Sequence, residues 1–492
     1  MNTFLIFFAL FYKVSCLNPI IIVGNKFVDS VTKDLFYIRG VAYQPRNKDP
    51  LADPFGCKRD FQLMRNLGMN SVRVYEVNNT ADHDICMQYM YEYGLYLILD
   101  LSTPRYSINR NSPEWTTSLF KEYKKTVDAF SKYPHTLAFF AGNEIVNDPD
   151  TSRSAPFVKA AIRDLKSYLK TKSRYIPVGY ATSDDVRIRD RMAQFLICGE
   201  LDTQTDFYGI NMYEWCGQSS YVESGYAERT NAFRNYKIPV FLSEYGCNQP
   251  RPRLFTEVLS IYGPEMSNVF SGGIVYEWTE EENNYGLVKI DGHSIRLLPD
   301  YTALKQQLAS VPAIPTSLIS NINGSSESVQ CPIQDKNWQA SFQLPPTPSD
   351  ENCKCMTETL GCIYDLDRDV GSTLDMVCGI TECEDISVNG TGRYGKWSYC
   401  SDKQRISFEL DKLSKLSGEC GFGGRQVKPL RNLEECNSNV ISRSGTSSVK
   451  DKSVSSGRIA KYLVKRNQKS NLSWEFEYWQ LWLPLLLYLV LF

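Results

Sequence analysis

The chain has 492 residues, 22% of them charged, and a formal net charge of -2 with its basic residues spread out, so it lacks the footprint of a nucleic-acid-binding protein. Its three histidines, His83, His135 and His293, lie far apart without metal-ligand spacing; this argues against a zinc site or a His-based triad, and no cofactor or metal is implied. The fifteen cysteines suit an oxidising compartment.

Residues 1–16 read as a signal peptide, with the apolar run Phe4 to Tyr12 followed by Val14-Ser15-Cys16, small residues where signal peptidase would cut, although no basic residue opens the segment. Apolar runs then recur at Tyr37 to Tyr43, Ser71 to Val77, Leu95 to Ser102, Leu137 to Glu144, Ile176 to Ala181, Asp206 to Tyr213, Pro239 to Tyr245 and Gly272 to Trp278. Between most of them lie amphipathic stretches such as Cys57 to Leu67, Ala81 to Tyr93, Ser118 to Lys132, Ala155 to Lys170 and Arg253 to Ile261. This alternation predicts an α/β fold, a (β/α)8 TIM barrel over residues 17–310, in which every strand delivers its C-terminal end to one face.

Two of these runs end in a lone glutamate: Phe139-Phe140-Ala141-Gly142-Asn143-Glu144 on the fourth strand and Val240-Phe241-Leu242-Ser243-Glu244-Tyr245-Gly246 on the seventh. A single strand-end glutamate is usually an ordinary loop residue. Two in matched positions of a barrel converge, and a carboxyl pair is what glycosidic bond cleavage needs: one acid to protonate the leaving oxygen and one carboxylate to meet the oxocarbenium-like transition state. Asn143, beside the candidate acid, can hydrogen-bond a sugar 2-hydroxyl, and Tyr213 can orient the second carboxylate through its phenol. Tyr75, Tyr276, Trp215 and Trp278 are candidate flat faces for glucose rings, with rim packing as the plain alternative for the tryptophans.

Gly40-Val41-Ala42-Tyr43-Gln44-Pro45, Gly142-Asn143-Glu144, the twelve residues Asp206 to Gly217, Ser243-Glu244-Tyr245-Gly246-Cys247-Asn248 and Glu280 to Val288 resemble the signature segments of the fungal cell-wall β-1,3-glucanosyltransferases, glycoside hydrolase family 72. The resemblance runs from about Pro19 to Cys436 and implies Glu144 as acid/base and Glu244 as nucleophile of a retaining mechanism, with Gln44, Tyr75, Asp100, Asn143, Tyr213 and Tyr276 around the donor sugar. Like-charge repulsion between the two glutamates is expected to leave Glu244, the nucleophile, with the lower pKa of the pair.

Removing Cys16 with the signal leaves fourteen cysteines, an even set. The resemblance implies the pairs Cys57 with Cys86, Cys198 with Cys331, and Cys216 with Cys247 in the barrel portion. A linker spans residues 311–330, and residues 331–440 hold a cysteine-rich domain too small to rely on its own core. Eight cysteines alone allow 105 connectivities; likeness to carbohydrate-binding module family 43, an X8-like module, implies Cys353 with Cys400, Cys355 with Cys436, Cys362 with Cys420 and Cys378 with Cys383. The module resembled is a glucan-binding one, and Trp397, Tyr399 and Phe422 are candidate binding residues, with domain core or barrel interface as the alternative. Residues 441–470 form a serine-rich stalk of disordered composition, and residues 471–492 a glycolipid (GPI) anchor signal, with Asn471 or Ser470 as attachment site. Sequons at Asn78, Asn323 and Asn389 permit N-glycans.

The expectation is a secreted, surface-anchored, monomeric enzyme whose partners are β-1,3-glucan donor and acceptor chains and, through its lipid, the membrane. It would cut glucan internally and pass the new reducing end to the non-reducing end of another chain. An endo-β-1,3-glucanase sharing both glutamates, and an inactive wall-glucan-binding protein, are the rival readings.

Overall fold

The computed structural model describes residues 17–45, 49–312, 329–366, 370–388, 392–432 and 436. The expected signal peptide, most of the linker, Asn323, Asn389, the serine-rich stalk and the anchor signal with Ser470 and Asn471 lie outside the described residues.

Eight parallel strands close into a barrel: β1 (Ile38–Ala42), β2 (Ser71–Val74), β3 (Tyr96–Asp100), β4 (Thr136–Asn143), β5 (Val178–Ser183), β6 (Phe207–Asn211), β7 (Val240–Tyr245) and β8 (Phe270–Val275), with β8 returning to pair with β1. Several strands stop before the apolar run does. Val77, Glu144, Tyr213 and Trp278 therefore lie beyond the ladder, where backbone direction changes at the barrel mouth.

Helices α1 (Pro54–Leu67), α2 (Asp84–Glu92), α3 (Thr117–Phe130), α4 (Ala155–Leu169), α5 (Arg189–Ile197), α6 (Tyr226–Phe233), α7 (Glu257–Ile261), α8 (Pro264–Ser267) and α9 (Pro299–Ser310) surround the barrel. Local chemistry sets their ends. In α1 the Asp53 carboxylate caps Gly56 N at 3.1 Å, Pro54 opens the helix, and Gly68 closes it in the left-handed region at φ 99°. The helix expected from Arg253 starts only at Glu257. Arg253 is instead drawn inward, where Nε meets Asp300 at 2.7 Å and Nη1 meets the carbonyls of Gly246 and Tyr276, and these contacts hold the preceding residues in an irregular path.

The barrel interior is aromatic. Phe140, Phe207 and Phe241 pack with ring centroids 5.2–6.0 Å apart, and Phe27, from an N-terminal hairpin of Ile20–Val23 and Lys26–Asp29, closes the end opposite the mouth at 6.0 Å from both Phe207 and Phe241. Gly179 makes this packing possible, because a Cβ there would fall 2.3 Å from the Phe207 ring.

A smaller α+β body follows. It contains α10 (Asp350–Glu358), α11 (Val370–Cys378), α12 (Asp402–Ser417) and an antiparallel pair of Cys362–Tyr364 with Gly424–Gln426. Its disulfides join Cys353 to Cys400, Cys355 to Cys436, Cys362 to Cys420 and Cys378 to Cys383. Cys57–Cys86, Cys198–Cys331 and Cys216–Cys247 are also bonded. Of the candidates for glucan binding, Trp397 and Tyr399 follow the domain-core alternative and are buried with Met356, Leu360 and Ile386, because a domain of this size needs its aromatics inside; Phe422 is partly exposed.

The two bodies are in contact. Trp338 is fully buried against Phe195 of α5, Tyr394 meets Phe157 of α4, and Thr347 donates to Asp164 at 2.7 Å.

Candidate active site

Glu244, near the end of β7, is buried and takes three hydrogen bonds. Tyr75 OH donates to Oε1 at 2.9 Å, Arg73 Nη1 to Oε1 at 3.2 Å, and Tyr213 OH to Oε2 at 2.8 Å. Burial pushes the Glu244 carboxyl upward, and Arg73 with the Tyr213 and Tyr75 hydroxyls pulls it back. Burial prevails and the carboxyl lies above its ordinary value, so the low titration expected of Glu244 does not hold; desolvation is not revealed by strand-end position alone. Burial, and then the charge of Glu244, holds both phenols well above their ordinary range, so they stay protonated donors.

Arg73, on β2, organises the site and is fully buried. Its guanidinium forms a bidentate pair with Asp100 at 3.0 and 2.9 Å and donates to Asn143 Oδ1 at 3.1 Å, while stacking on the Tyr75 and Phe140 rings at 4.4 and 4.5 Å. Burial opposes its charge, but Asp100, Tyr75 and Glu244 raise its pKa above the ordinary value. Both oxygens of Asp100 are engaged by Arg73, and the residue is only 2% exposed, so here it acts on the arginine.

Asn211, the last residue of β6, connects this cluster to the other glutamate. Its Nδ2 donates to Asn143 Oδ1 at 3.1 Å and to Glu144 Oε1 at 2.8 Å, and its Oδ1 accepts from Ser243 Oγ at 2.7 Å. Glu144 is half-buried and holds a left-handed φ of 48° just past β4; its N donates to Ala181 O at 2.9 Å and its carbonyl accepts from Arg110 Nη2 at 2.8 Å. A continuous chain, Glu244 to Arg73 to Asn143 to Asn211 to Glu144, spans the mouth.

Around this chain lies an aromatic wall. Tyr213 meets Tyr276 at 6.3 Å and Tyr285 at 5.6 Å, Tyr276 meets Tyr285 at 5.3 Å, and Tyr75 meets Tyr276 at 6.4 Å. Gln44 accepts from Tyr75 N at 3.1 Å and Glu76 N at 2.9 Å, fixing the segment that carries Tyr75. Trp215 and Trp278 do not join the wall. Trp215 is 5% exposed with Nε1 bonded to Thr256 at 2.9 Å, and Trp278 is fully buried beside Tyr301. The disulfide Cys216–Cys247 ties the loop after β6, next to Tyr213, to the loop after β7, next to Glu244.

Sequence reasoning gave no role to Arg73, Asn211, Arg110 or Tyr285. Arg73 had a signal: it is the one cation in the apolar run Ser71-Val72-Arg73-Val74, and a buried arginine needs buried carboxylates. Asn211 lay inside a quoted motif, and only strand register, which pairs it with Glu244, explains its use. The sequon Asn78 is exposed, with its side chain accepting from Thr80 Oγ1 at 2.8 Å.

A parallel eight-stranded barrel with a glutamate at the end of the fourth and seventh strands defines a carbohydrate-active enzyme fold. The family model described as Glucanosyltransferase matches residues 10–312, and that of the X8 domain matches residues 361–427. The chain belongs to this glucanosyltransferase family. It is 42% identical over 482 residues to the 1,3-beta-glucanosyltransferase GAS2 of Saccharomyces cerevisiae, covering 91% of this chain and 86% of that protein. It is 43% identical over 433 residues to pH-responsive protein 1 of Candida albicans, covering 82% of this chain and 79% of that one. The solved structure of Saccharomyces cerevisiae Gas2p with laminaritriose and laminaritetraose superposes with a TM-score of 0.77 at 45% identity, covering 82% of this chain and 94% of that chain.

Proposed function

We propose that this chain is a retaining 1,3-β-glucanosyltransferase in which Glu244 is the nucleophile and Glu144 the acid/base. The observation that carries the assignment is the unequal hydrogen bonding of the two carboxyls. Glu244 receives three donors from Arg73, Tyr75 and Tyr213, and the charged Arg73 guanidinium with the two phenols favours its carboxylate form. Glu144 receives one side-chain donor, on Oε1 from Asn211, which leaves Oε2 to deliver and take back a proton.

In the first step the Glu244 carboxylate forms a bond to the anomeric carbon of a β-1,3-glucan, the glycosidic bond breaks, and the leaving 3-oxygen takes the proton of Glu144. The donor fragment is then esterified to Glu244. In the second step Glu144 removes the proton of the 3-hydroxyl at the non-reducing end of another glucan, that oxygen attacks the anomeric carbon, and the Glu244 ester breaks. Two inversions restore the β configuration and lengthen the acceptor.

Asn143 accepts from Arg73 and Asn211 through Oδ1, which orients its amide with Nδ2 as the donor left for a sugar 2-hydroxyl. Tyr75, Tyr213, Tyr276 and Tyr285 provide the faces on which glucose rings stack. The binding of laminari-oligosaccharides by Gas2p in its solved complexes favours the same substrate class here. No helix among the described residues is long and apolar enough to cross a membrane.

Incubating purified protein with a reduced laminari-oligosaccharide and sizing the products tests the reading. Products longer than the substrate are expected. Shorter products alone would make the chain a glucanase, and an unchanged substrate would make it a binding protein.

A further inference from the structure

Arg405 of α12 is 4% exposed where the cysteine-rich domain meets the barrel, and its guanidinium grips Glu114 of the barrel. Nη1 and Nη2 each reach Oε1 at 3.0 Å, and Nη2 also reaches Oε2 at 3.1 Å. Asp402, one turn earlier on α12, takes a further bond from Nη2 and aims the fork. Close by, Thr117 N donates to Tyr399 O at 2.8 Å. The cysteine-rich domain thus holds the C-terminal end of the segment joining β3 to α3, residues 101–116.

The same segment carries Arg110, whose Nη2 donates to the backbone carbonyl of Glu144 at 2.8 Å. That carbonyl belongs to a glutamate held at φ 48°, a region L side chains avoid, so neighbouring contacts must keep it there. Little slack separates Arg110 from Glu114. Asn109 Oδ1 accepts from Asn111 N at 2.9 Å and Ser112 N at 3.2 Å, and the buried Pro113 has a fixed φ. Trp115 Nε1, bonded to Asp164 at 2.8 Å, anchors the segment to α4 in the helix layer, whereas Glu114 is the side chain it extends to the other domain.

We propose that Arg405 is a positioning residue for the acid/base: by gripping Glu114 it fixes the 101–116 segment, so that Arg110 stays on the Glu144 carbonyl and the Glu144 carboxyl stays aimed at the leaving oxygen. The proposal rests on the glycosyl-transfer reading of Glu144. It gives the cysteine-rich domain a part in barrel chemistry separate from any affinity for glucan.

The leaving group distinguishes a positioning role from a merely structural one. A sugar oxygen needs the proton of Glu144 to depart, whereas dinitrophenolate departs without it. First-turnover rates of full-length wild type, Arg405→Met and Glu114→Ala are compared on a laminari-oligosaccharide and on its dinitrophenyl glycoside. Both variants should be slower on the oligosaccharide by about tenfold or more, within the ~10²–10⁴ that general acid assistance supplies, and should change by less than about threefold on the dinitrophenyl substrate. Glu114 lies on a surface segment, so Glu114→Ala provides the answer if Arg405→Met fails to fold. Equal losses on the two substrates, or no loss on either, would overturn the proposal alone, because wild type would still turn both over. A wild type inert toward both would overturn the enzymatic reading and this proposal with it.

Discussion

Each glutamate of the site is defined by what donates to it, and this makes the roles separable by substitution. Glu144→Gln and Glu244→Gln keep the side-chain shape but remove the proposed proton donor and the proposed nucleophile, so each should lower transfer by at least the ~10²–10⁴ typical of lost acid assistance, with unchanged circular dichroism. Retention of more than about a tenth of wild-type turnover by either variant would be incompatible with its assigned role. Arg73 presents a different case. Removing its guanidinium leaves Asp100 and Glu244 buried without their cation, so Arg73→Met should destabilise the fold by about 3–5 kcal/mol, measurable by urea unfolding, in addition to abolishing activity.

At the scale of elements, the barrel was legible because its strands are apolar runs and its longer helices are amphipathic, so both periods stand out. The strand-end glutamates could be read for the same reason. What escaped was set by tertiary structure: Arg73 and Asn211 join the two carboxyls only once closure of the barrel brings the ends of β2, β4, β6 and β7 to one mouth. Trp215 and Trp278, for which rim packing stood beside the sugar-face reading, are buried and follow the packing reading. A large aromatic near a strand end fills either a subsite or a gap under the rim, and burial alone decides.

Helix α7 shows how late helix entry shapes pH behaviour. Glu257, in its first turn, is 3% exposed, and burial raises its carboxyl from 4.5 to about 7 against the opposing pull of its own backbone N–H and Arg253. The folded state therefore binds a proton that the unfolded state has released. Stability from this group is fully present below about 4.5 and is lost as pH rises through about 7. Glu257→Gln should thus stabilise the protein relative to wild type by on the order of 3 kcal/mol at pH about 8, seen as a higher melting temperature, and change it little at pH about 4.5. A variant with the same offset at both pH values would contradict the burial argument.

Across the whole molecule, the cysteine-rich domain is held to the barrel by a disulfide, a buried tryptophan and ion pairs. Cys198–Cys331 crosses the junction, Trp338 is fully buried against α5, and Arg191 pairs with Asp335 at 2.5 Å. Truncation after Ser328 would leave Cys198 unpaired and expose the apolar surface around Phe195. Loss of such a bridge costs about 2–5 kcal/mol, and loss of a buried tryptophan about 3–5 kcal/mol. The truncated protein is expected to be secreted poorly or to melt at a markedly lower temperature by calorimetry. A truncated barrel that melted like the full chain and lost only polysaccharide binding would make the second domain a targeting module.

The central claim is that the glucan chain is carried covalently on Glu244 between donor and acceptor. A laminari-oligosyl fluoride with fluorine at the 2-position slows the release of that intermediate, so intact mass spectrometry followed by peptide mapping reads the claim directly. The account predicts one added glycosyl mass, located on the peptide containing Glu244 and absent from Glu244→Gln. A label on Glu144, or turnover of the oligosyl fluoride with no covalent adduct, would contradict it.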